Sequence, residues 1–135
     1  YLNYTYIDSK ANGIRNEDGD LREEVGLPGT SPQMFNASLS FENKKLVLRA
    51  SLNYSDSYID ELSDEAFFDR YYDEQLFLDF NGSYAINDKF RIFAEVNNIT
   101  NQPLRYYQGV QERTMQMEYY NMRFNLGLKF DLFRK

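Results

Sequence analysis

The chain has 135 residues, the length of one ordinary domain, with no cysteine, no histidine and a net charge of -6. Without cysteine there are no disulfides or thiolate sites, and without histidine the commonest general base and transition-metal ligand is missing. The negative charge argues against nucleic acid, which binds basic surfaces. We therefore predict no catalytic residues, no metal site and no cofactor, and we do not expect an enzyme.

Six segments alternate between apolar and polar residues, the pattern of a β-strand with one buried or lipid-facing side. In chain order they are residues 1–7, 33–42, 46–54, 75–86, 90–97 and 114–133. The first segment begins inside its alternation and the chain has no initiator methionine, so we expect a piece of a longer protein with any targeting signal upstream.

The connectors between these segments alternate in length. Residues 43–45 and 87–89 are short, polar hairpin turns. The other three connectors are long and rich in Gly, Asp, Asn and Pro: residues 8–32, 55–74 and 98–113. Short turns on one rim and long loops on the other are typical of an outer-membrane barrel.

The alternation alone fits a soluble antiparallel sheet equally well. Two features favour a membrane barrel. The apolar faces end in Tyr54, Tyr84 and Tyr120, as an interfacial girdle would, and the opposite faces are heavily charged for a small sheet. The predicted lumen-facing charges are Arg49, Asp79, Arg91, Glu95 and Arg123. Six strands are too few to close a membrane barrel, so we predict an all-β, antiparallel transmembrane segment of a larger one.

Asp79 and Glu95 lie on neighbouring strands, but nothing indicates a catalytic pair, which needs a raised pKa and a cleft. We expect these carboxylates to form a ladder of cross-strand pairs with Arg91 or Arg49.

Two runs in the last part of the chain resemble the C-terminal end of TonB-dependent outer-membrane receptors. They are Phe93-Ala-Glu-Val-Asn-Asn-Ile-Thr-Asn-Gln-Pro-Leu-Arg-Tyr-Tyr-Gln-Gly109 and Glu118-Tyr-Tyr-Asn-Met-Arg-Phe-Asn-Leu-Gly-Leu-Lys-Phe130. The family pattern is a strand ending in Asn-Asn-Leu-Thr-Asn, a Tyr-rich loop, and a strand that runs into Gly-Leu-Lys-Phe. The upstream strands resemble the family in pattern alone.

The resemblance implies a barrel of about 22 strands with a plug in its lumen, of which residues 1–135 would be the C-terminal part. It implies the bacterial outer membrane and uptake of a scarce nutrient energised through TonB, with a ferric siderophore as the first candidate. Alternatives are a glycan or peptide importer, or a barrel that is an adhesin or an enzyme. The implied partners are the plug domain, the TonB complex, outer-membrane lipid, the barrel-assembly machinery and a surface lipoprotein.

The end of the chain also resembles the signal that the barrel-assembly machinery recognises. It has the polar Asn125, then Gly127, then Phe130 and Leu132 on one face. Glycine would thin the strand for close approach, and the two hydrophobic residues would dock on a template edge. The alternative is an ordinary amphipathic strand that contains a glycine.

The connector 55–74 is strongly acidic, with Arg70 as its one cation. Oxygen ligands at this density could hold calcium, although the spacing of a dedicated calcium loop is missing. We favour the alternative, a solvated acidic face on one short amphipathic helix that includes Tyr58, Ile59 and Phe67.

Arg105, Tyr106 and Tyr107 follow at the expected mouth of the pore. They could contact a substrate by stacking and by a charge clamp. The alternative is an aromatic girdle pair with a rim cation. We expect Asn97, Asn98 and Asn101 to tie the base of this loop by side-chain hydrogen bonds.

Overall fold

The structure is a computed structural model that describes residues 1–15 and 18–130. Its strands are β1 (Leu2–Tyr6), β2 (Ile14–Arg15), β3 (Leu21–Arg22), β4 (Gln33–Glu42), β5 (Leu46–Ser55), β6 (Tyr58–Glu61), β7 (Arg70–Tyr72), β8 (Gln75–Ala85), β9 (Phe90–Asn97), β10 (Leu104–Gln108), β11 (Val110–Glu118) and β12 (Arg123–Phe130). A short 3₁₀ helix, Ala66–Phe68, precedes β7. No helix in these residues has the length and apolar character needed to cross a membrane.

The largest sheet, here the wall sheet, contains β1, β4, β5, β8, β9 and β12 in that spatial order, all antiparallel. Each of the six predicted segments contributes one of these strands. Wall strands that are consecutive along the chain are neighbours in the sheet. The predicted all-β, antiparallel sheet of six strands is therefore confirmed. In the described residues the sheet is open at β1 and at β12.

The register of the wall sheet keeps apolar and polar residues on separate faces. One row across five strands is Leu39, Ala50, Phe80, Val96 and Phe124. The next row, one residue along each strand and on the opposite face, is Ser40, Arg49, Asn81, Glu95 and Asn125. Because side chains alternate between the faces of a sheet, a register shift by one residue in any strand would mix the two rows.

Nothing in the described chain covers the apolar face of the wall sheet. Leu39 is 79% exposed and Leu126 is 71% exposed. The buried hydrophobic residues among those described, Val25 and Tyr107, both lie in the long connectors. A soluble sheet with this pattern would bury its apolar face in a core. The uncovered face therefore needs an apolar surrounding, as the wall of a membrane barrel does.

In both short turns, an asparagine side chain accepts two backbone hydrogen bonds. The side-chain oxygen of Asn43 accepts hydrogen bonds from the backbone N–H groups of Lys45 (2.9 Å) and Leu46 (2.8 Å). That of Asn87 accepts the equivalent bonds from Lys89 (2.9 Å) and Phe90 (3.0 Å). This is the Asx-type turn that favours asparagine, and both predicted hairpins are confirmed.

The long connectors build a second sheet, here the loop sheet, with the order β11, β10, β7, β6. β6 follows β5 along the chain, β7 precedes β8, β10 follows β9 and β11 precedes β12. The loop sheet therefore repeats the order of four wall strands beyond the end of the wall. A smaller hairpin, β2 with β3, forms within residues 8–32.

The segment 114–133, predicted to hold the last strand, contains β12 and also the last part of β11. Between these two strands Asn121 has a positive φ of 61°, which an extended strand does not allow. Residues 131–133 of that segment lie outside the described part of the chain. The predicted helix that included Tyr58, Ile59 and Phe67 is instead the strand β6 followed by the 3₁₀ helix, since β6 gains backbone pairing with β7.

We expect Leu126→Arg to destabilise the protein in a bilayer by roughly 2–4 kcal/mol, because it places a charge on the apolar face. Asn125→Arg should cost far less, since residue 125 lies on the polar face opposite Glu95. Denaturant unfolding of the intact protein in lipid vesicles measures both. Equal losses would mean that the two faces are wrongly assigned.

Gly127 lies directly opposite Phe93 and under its ring. A Cβ atom at residue 127 would lie 2.6 Å from Cε1 of Phe93 and closer still to Cζ. We expect Gly127→Ala to cost about 1–3 kcal/mol by overpacking, and Phe93→Ala to remove most of that cost in the double variant. Unfolding of the single and double variants gives the coupling energy, and strictly additive losses would contradict the explanation.

Candidate functional site at the junction of the wall and loop sheets

The chain leaves the wall sheet at an asparagine-rich bend after β9. Asn98 has a φ of 58°, and its backbone N–H donates to the carboxylate of Asp79 at 2.8 Å. Its side-chain oxygen accepts the N–H of Gln102 at 2.8 Å, and the Thr100 hydroxyl donates to the Leu76 carbonyl at 2.6 Å. Residues 98–102 thus pair with the upper part of β8 in place of a strand. The expectation that side-chain hydrogen bonds tie the loop base is confirmed for Asn98, while Asn97 and Asn101 make no such side-chain bond within the described residues.

A cavity of about 500 Å³ opens at this junction. Its lining combines residues of the wall sheet, the bend after β9, and the ends of the loop-sheet strands that lie next to the wall. The lining residues are Tyr72, Gln75, Phe77, Asp79, Asn97, Asn98, Gln102, Leu104, Tyr120, Asn121 and Arg123. Of the charges predicted to face the lumen, Asp79 and Arg123 line this cavity.

The charge of the lining is balanced and its polar groups are mostly neutral. Asp79 contributes one carboxylate and Arg123 one guanidinium, which has no ion pair within the described residues. The amide nitrogen of the buried Gln75 donates to the carbonyls of Glu74 (3.2 Å) and Pro103 (3.3 Å). Those bonds fix the amide and leave its oxygen as the end that can accept from a ligand. The cavity therefore suits an uncharged molecule with several hydrogen-bonding groups.

Tyr72 joins this cavity to a row of tyrosines across the loop sheet. It lies opposite Tyr58 on one side and Tyr106 on the other, with ring centroids 5.4 and 5.0 Å away. The guanidinium of Arg70 lies 5.5 Å from the centre of the Tyr106 ring. Burial raises the pKa of Tyr72 further above physiological pH, at which a tyrosine hydroxyl is already a neutral donor. The row gives the cavity one aromatic side.

Tyr120 places a second hydroxyl at the cavity, and it is already hydrogen-bonded. It donates to the Glu118 carboxylate at 2.5 Å. This bond lowers the pKa of the Glu118 carboxyl and raises the pKa of the Tyr120 hydroxyl. Because this hydroxyl already donates to Glu118, Tyr120 contributes its aromatic ring to the cavity and no free hydrogen-bond donor.

The three residues predicted at the pore mouth fall in β10, and none of them lines the cavity. Arg105 donates to the carboxylate of Asp73 (2.8 Å), the hydroxyl of Thr114 (2.9 Å) and the carbonyl of Gln111. Tyr107 is buried and stacks on Tyr71, with centroids 5.1 Å apart and planes 3° from parallel. Tyr106 approaches the cavity through Tyr72. Arg105 and Tyr107 therefore stabilise the packing of β10 against its neighbours in the loop sheet.

The acidic connector 55–74 meets more cations than its own Arg70. Arg70 pairs with Asp60 (2.6 Å) and Glu61 (2.9 Å), Arg22 from residues 8–32 pairs with Asp69, and Arg105 from β10 pairs with Asp73. The expectation of a solvated acidic face was therefore wrong for Asp69 and Asp73, because distant arginines in the sequence reach both. In the described ranges, no three acidic side chains gather as a metal site would require.

The predicted lumen charges Arg49, Asp79, Arg91, Glu95 and Arg123 share the polar face of the wall sheet by register. The expected ladder of ion pairs among them was wrong for the described chain. Arg91 donates to the Ser83 hydroxyl at 2.9 Å, Asp79 accepts from the bend, and Glu95 accepts from Asn125 at 3.5 Å. Arg49, Asp79, Glu95 and Arg123 lie opposite neutral polar residues in the register, whereas Arg91 lies opposite Ala85 and Lys129. No carboxylate therefore lies directly opposite a guanidinium in the described strands of the wall sheet.

The predicted assembly signal falls at the end of β12. Asn125 and Gly127 lie on the polar face, and Phe130 lies opposite Phe90 with ring centroids 4.6 Å apart. Leu132 lies outside the described residues. Because the ring of Phe93 lies over residue 127, a side chain there would overlap it. Packing therefore explains a glycine at this position independently of the proposed signal.

Gly109 marks the closest approach between two long connectors. It has a φ of 67°, and its N–H donates to the Asp69 carbonyl at 2.9 Å. A Cβ atom there would lie 2.9 Å from the carbonyl carbon of Phe67 and closer still to its oxygen, so only glycine fits without moving backbone.

We expect Gly109→Ala to destabilise the docking of β10 and β11 on the 3₁₀ helix by at least about 2 kcal/mol, from backbone strain and overlap together. Limited proteolysis of the intact protein should show faster cleavage within residues 104–118. Gly29→Ala, a glycine that also has a positive φ (73°) but has open space around its Cβ position, is the control for strain alone. Equal effects would show that overlap with Phe67 is unimportant.

The sequence prediction missed most of the cavity. Gln75, Phe77 and Tyr72 come from segments that were treated as wall or as acidic loop. One signal was present in the sequence. Phe77 interrupts the polar face of its strand with a large apolar ring, which a wet lumen does not favour.

Comparison with known protein families gave one match. The family model described as TonB dependent receptor-like, beta-barrel matches residues 1–99. Neither the curated proteins nor the solved structures gave a significant match. The matched range includes five of the six wall strands, which are β1, β4, β5, β8 and β9, and it ends within the bend at residues 98–102.

Proposed function

The chain belongs to the family of TonB-dependent receptor-like β-barrels, and from that premise we propose that residues 1–135 are the C-terminal part of the barrel domain of a nutrient receptor. Membership of this family implies the bacterial outer membrane, a plug domain inside the barrel, and uptake driven through TonB. The proposed role includes no catalytic step. The strands seal the receptor against lipid, and the loop sheet forms part of its outer face.

The observation that carries the proposal is the register of the wall sheet. Apolar and polar rows stay separate across its strands, and the apolar face is uncovered. A wall between lipid and a wet lumen needs this arrangement, because backbone groups in hydrocarbon must be paired within the sheet. An adhesin or a barrel enzyme would need the same wall, so the family match supports the transport role over these alternatives.

We propose that the lumen charges hold the plug domain. Arg49 and Arg123 lie on the polar face and have no ion pair within the described part of the chain. Both guanidiniums are therefore available to carboxylates or carbonyls of a plug. The end of β12, with Asn125, Gly127 and Phe130, is the proposed contact for the barrel-assembly machinery. A surface lipoprotein remains a proposed partner for the loop sheet.

A ferric siderophore is the first proposed substrate, because the resemblance to TonB-dependent receptors suggests a scarce, large nutrient. The cavity at the junction favours a second candidate, a glycan or a peptide. Its lining is rich in amides and contains one carboxylate and one guanidinium, which suits an uncharged polar ligand. The rings of Phe77 and Tyr72 add faces on which an apolar side of such a ligand could pack.

Growth of a strain that lacks the receptor gene, with and without the gene restored, tests these candidates. Ferric siderophores as the sole iron source and glycans or peptides as the sole carbon source separate them. We expect growth to need the restored gene and an active TonB for the class of nutrient that the receptor transports, and to be independent of the gene for the other classes. Growth that depends on the gene but not on TonB would contradict the proposed transport role.

We expect Asn97→Ala to weaken binding of the transported nutrient about 3- to 10-fold, the loss of one hydrogen bond. Asn81→Ala is the matched control, because Asn81 is an asparagine on the same polar face that does not line the cavity. Dissociation constants of the purified receptor measure both. An equal loss for the two variants, or no loss for Asn97→Ala, would place the ligand elsewhere.

A further inference from the structure

The most buried side chain in the described residues is a charged one, Asp69, which is 1% exposed. It lies in the connector 55–74, between the 3₁₀ helix and β7. Its two carboxylate oxygens accept from the guanidinium of Arg22 at 2.8 and 2.6 Å, and one also accepts the N–H of Ser63 at 2.8 Å. Burial of a carboxylate is costly without a partner, so this position depends on Arg22.

Arg22 belongs to a different connector, residues 8–32. Its guanidinium also donates to the Ser63 carbonyl at 2.6 Å, and the paired carboxylate raises the Arg22 pKa. Two further bonds join the same two connectors. Gly29 donates its N–H to the Ile59 carbonyl at 2.8 Å, and the Ser31 hydroxyl donates to the Asp56 carbonyl at 2.9 Å. Residues 8–32 are therefore fixed to the connector 55–74 at three separate points.

The backbone of Asp69 holds the third connector. Its carbonyl accepts the N–H of Gly109 at 2.9 Å, at the close approach that only glycine permits. Beside it, the guanidinium of Arg113 lies 4.1 Å from the centre of the Phe67 ring and donates to the Phe67 carbonyl at 3.1 Å. One residue thus bonds two other connectors, through its side chain on one side and its carbonyl on the other.

We propose that the three long connectors move as one body, with Asp69 as the joint, and that the outer face does not open by displacement of single loops. The β7–β10 pairing would carry motion between two connectors, and the Arg22–Asp69 pair would carry it to the third. Any closure over a nutrient would then displace the whole unit relative to the wall sheet. This proposal does not depend on which nutrient is transported.

Hydrogen exchange of the full-length receptor in detergent micelles, followed by mass spectrometry, tests the proposal. We expect Asp69→Asn to speed exchange about 100-fold or more in its own connector and also in residues 20–30 and 104–113. Exchange of β5 and β8 in the wall sheet should stay unchanged, which verifies that the barrel is folded. An effect of Asp69→Asn confined to residues 63–70 would overturn the proposal.

Asp60→Asn is the matched control. It makes the same chemical change in the same connector, but Asp60 pairs with Arg70 of that connector and is partly exposed. We expect its effect to stay within residues 58–72. If Asp69→Asn fails to fold, Arg22→Gln breaks the same pair from the other side and should speed exchange in residues 20–30 and 63–70 together. Faster exchange in residues 20–30 alone would overturn the proposal as well.

The unmodified receptor offers an independent measurement. At high pH, where each opening event is recorded as correlated exchange, peptides from the three connectors should open at one common rate. Distinct rates for residues 20–30 and 104–113 would show that the loops open separately, whatever the variants do.

Discussion

The pairing of backbone hydrogen bonds inside a hydrocarbon layer is the constraint on which the rest of this structure depends. A strand in lipid has no water to satisfy its N–H and C=O groups, so each strand must pair with a neighbour in a fixed register. The register then decides which face every side chain takes. In this chain, the pairing of β5 with β8 and of β8 with β9 keeps Ala50, Phe80 and Val96 in one apolar row. The separation of lipid from lumen follows from that alignment.

Above the wall, a different set of interactions takes over. The loop sheet continues the order of the wall strands, but charged and aromatic contacts join it to its surroundings. Arg22 reaches Asp69 and Arg105 reaches Asp73, each across a long stretch of sequence. Since these carboxylates are buried, the arginines are needed to keep them there. The junction between the two regimes contains the asparagine-rich bend, and the proposed ligand cavity lies at that bend because the strand pairing is interrupted there.

The wall could be predicted from the sequence because its signal is local. Phe35, Ala37 and Leu39 alternate with polar residues, and this period of two needs no knowledge of any partner strand. The turns at Asn43 and Asn87 were equally local. The structure of the long connectors was not predicted, because it depends on contacts between segments that are distant in the sequence. Within the segment 55–74, Ile59, Leu62 and Ala66 have a spacing that suits a helix, but pairing with β7 draws the first part of the segment into a strand.

The candidate site was only partly predictable. Asp79 and Arg123 were placed on the lumen face by alternation, and both line the cavity. Arg105 and Tyr107 were considered as substrate contacts, with an aromatic girdle pair and a rim cation as the alternative, and in the structure they contact Asp73 and Tyr71. The sequence shows which residue types are present in a loop, but not which of them will already be engaged by another loop. Such contacts are set by the approach of segments that are far apart in the chain.

The sequence by itself therefore determined the strands, the short turns, the two faces of the wall and the resemblance to a receptor family. Each of these depends on neighbours within a few residues, where alternation and turn chemistry act directly. Only the tertiary structure decided that the long connectors form a sheet, that Asp69 is buried against Arg22, and that a cavity opens where β9 ends. Those features arise from contacts between distant segments, and the free energy of burying a charge with its partner exists only once the segments meet.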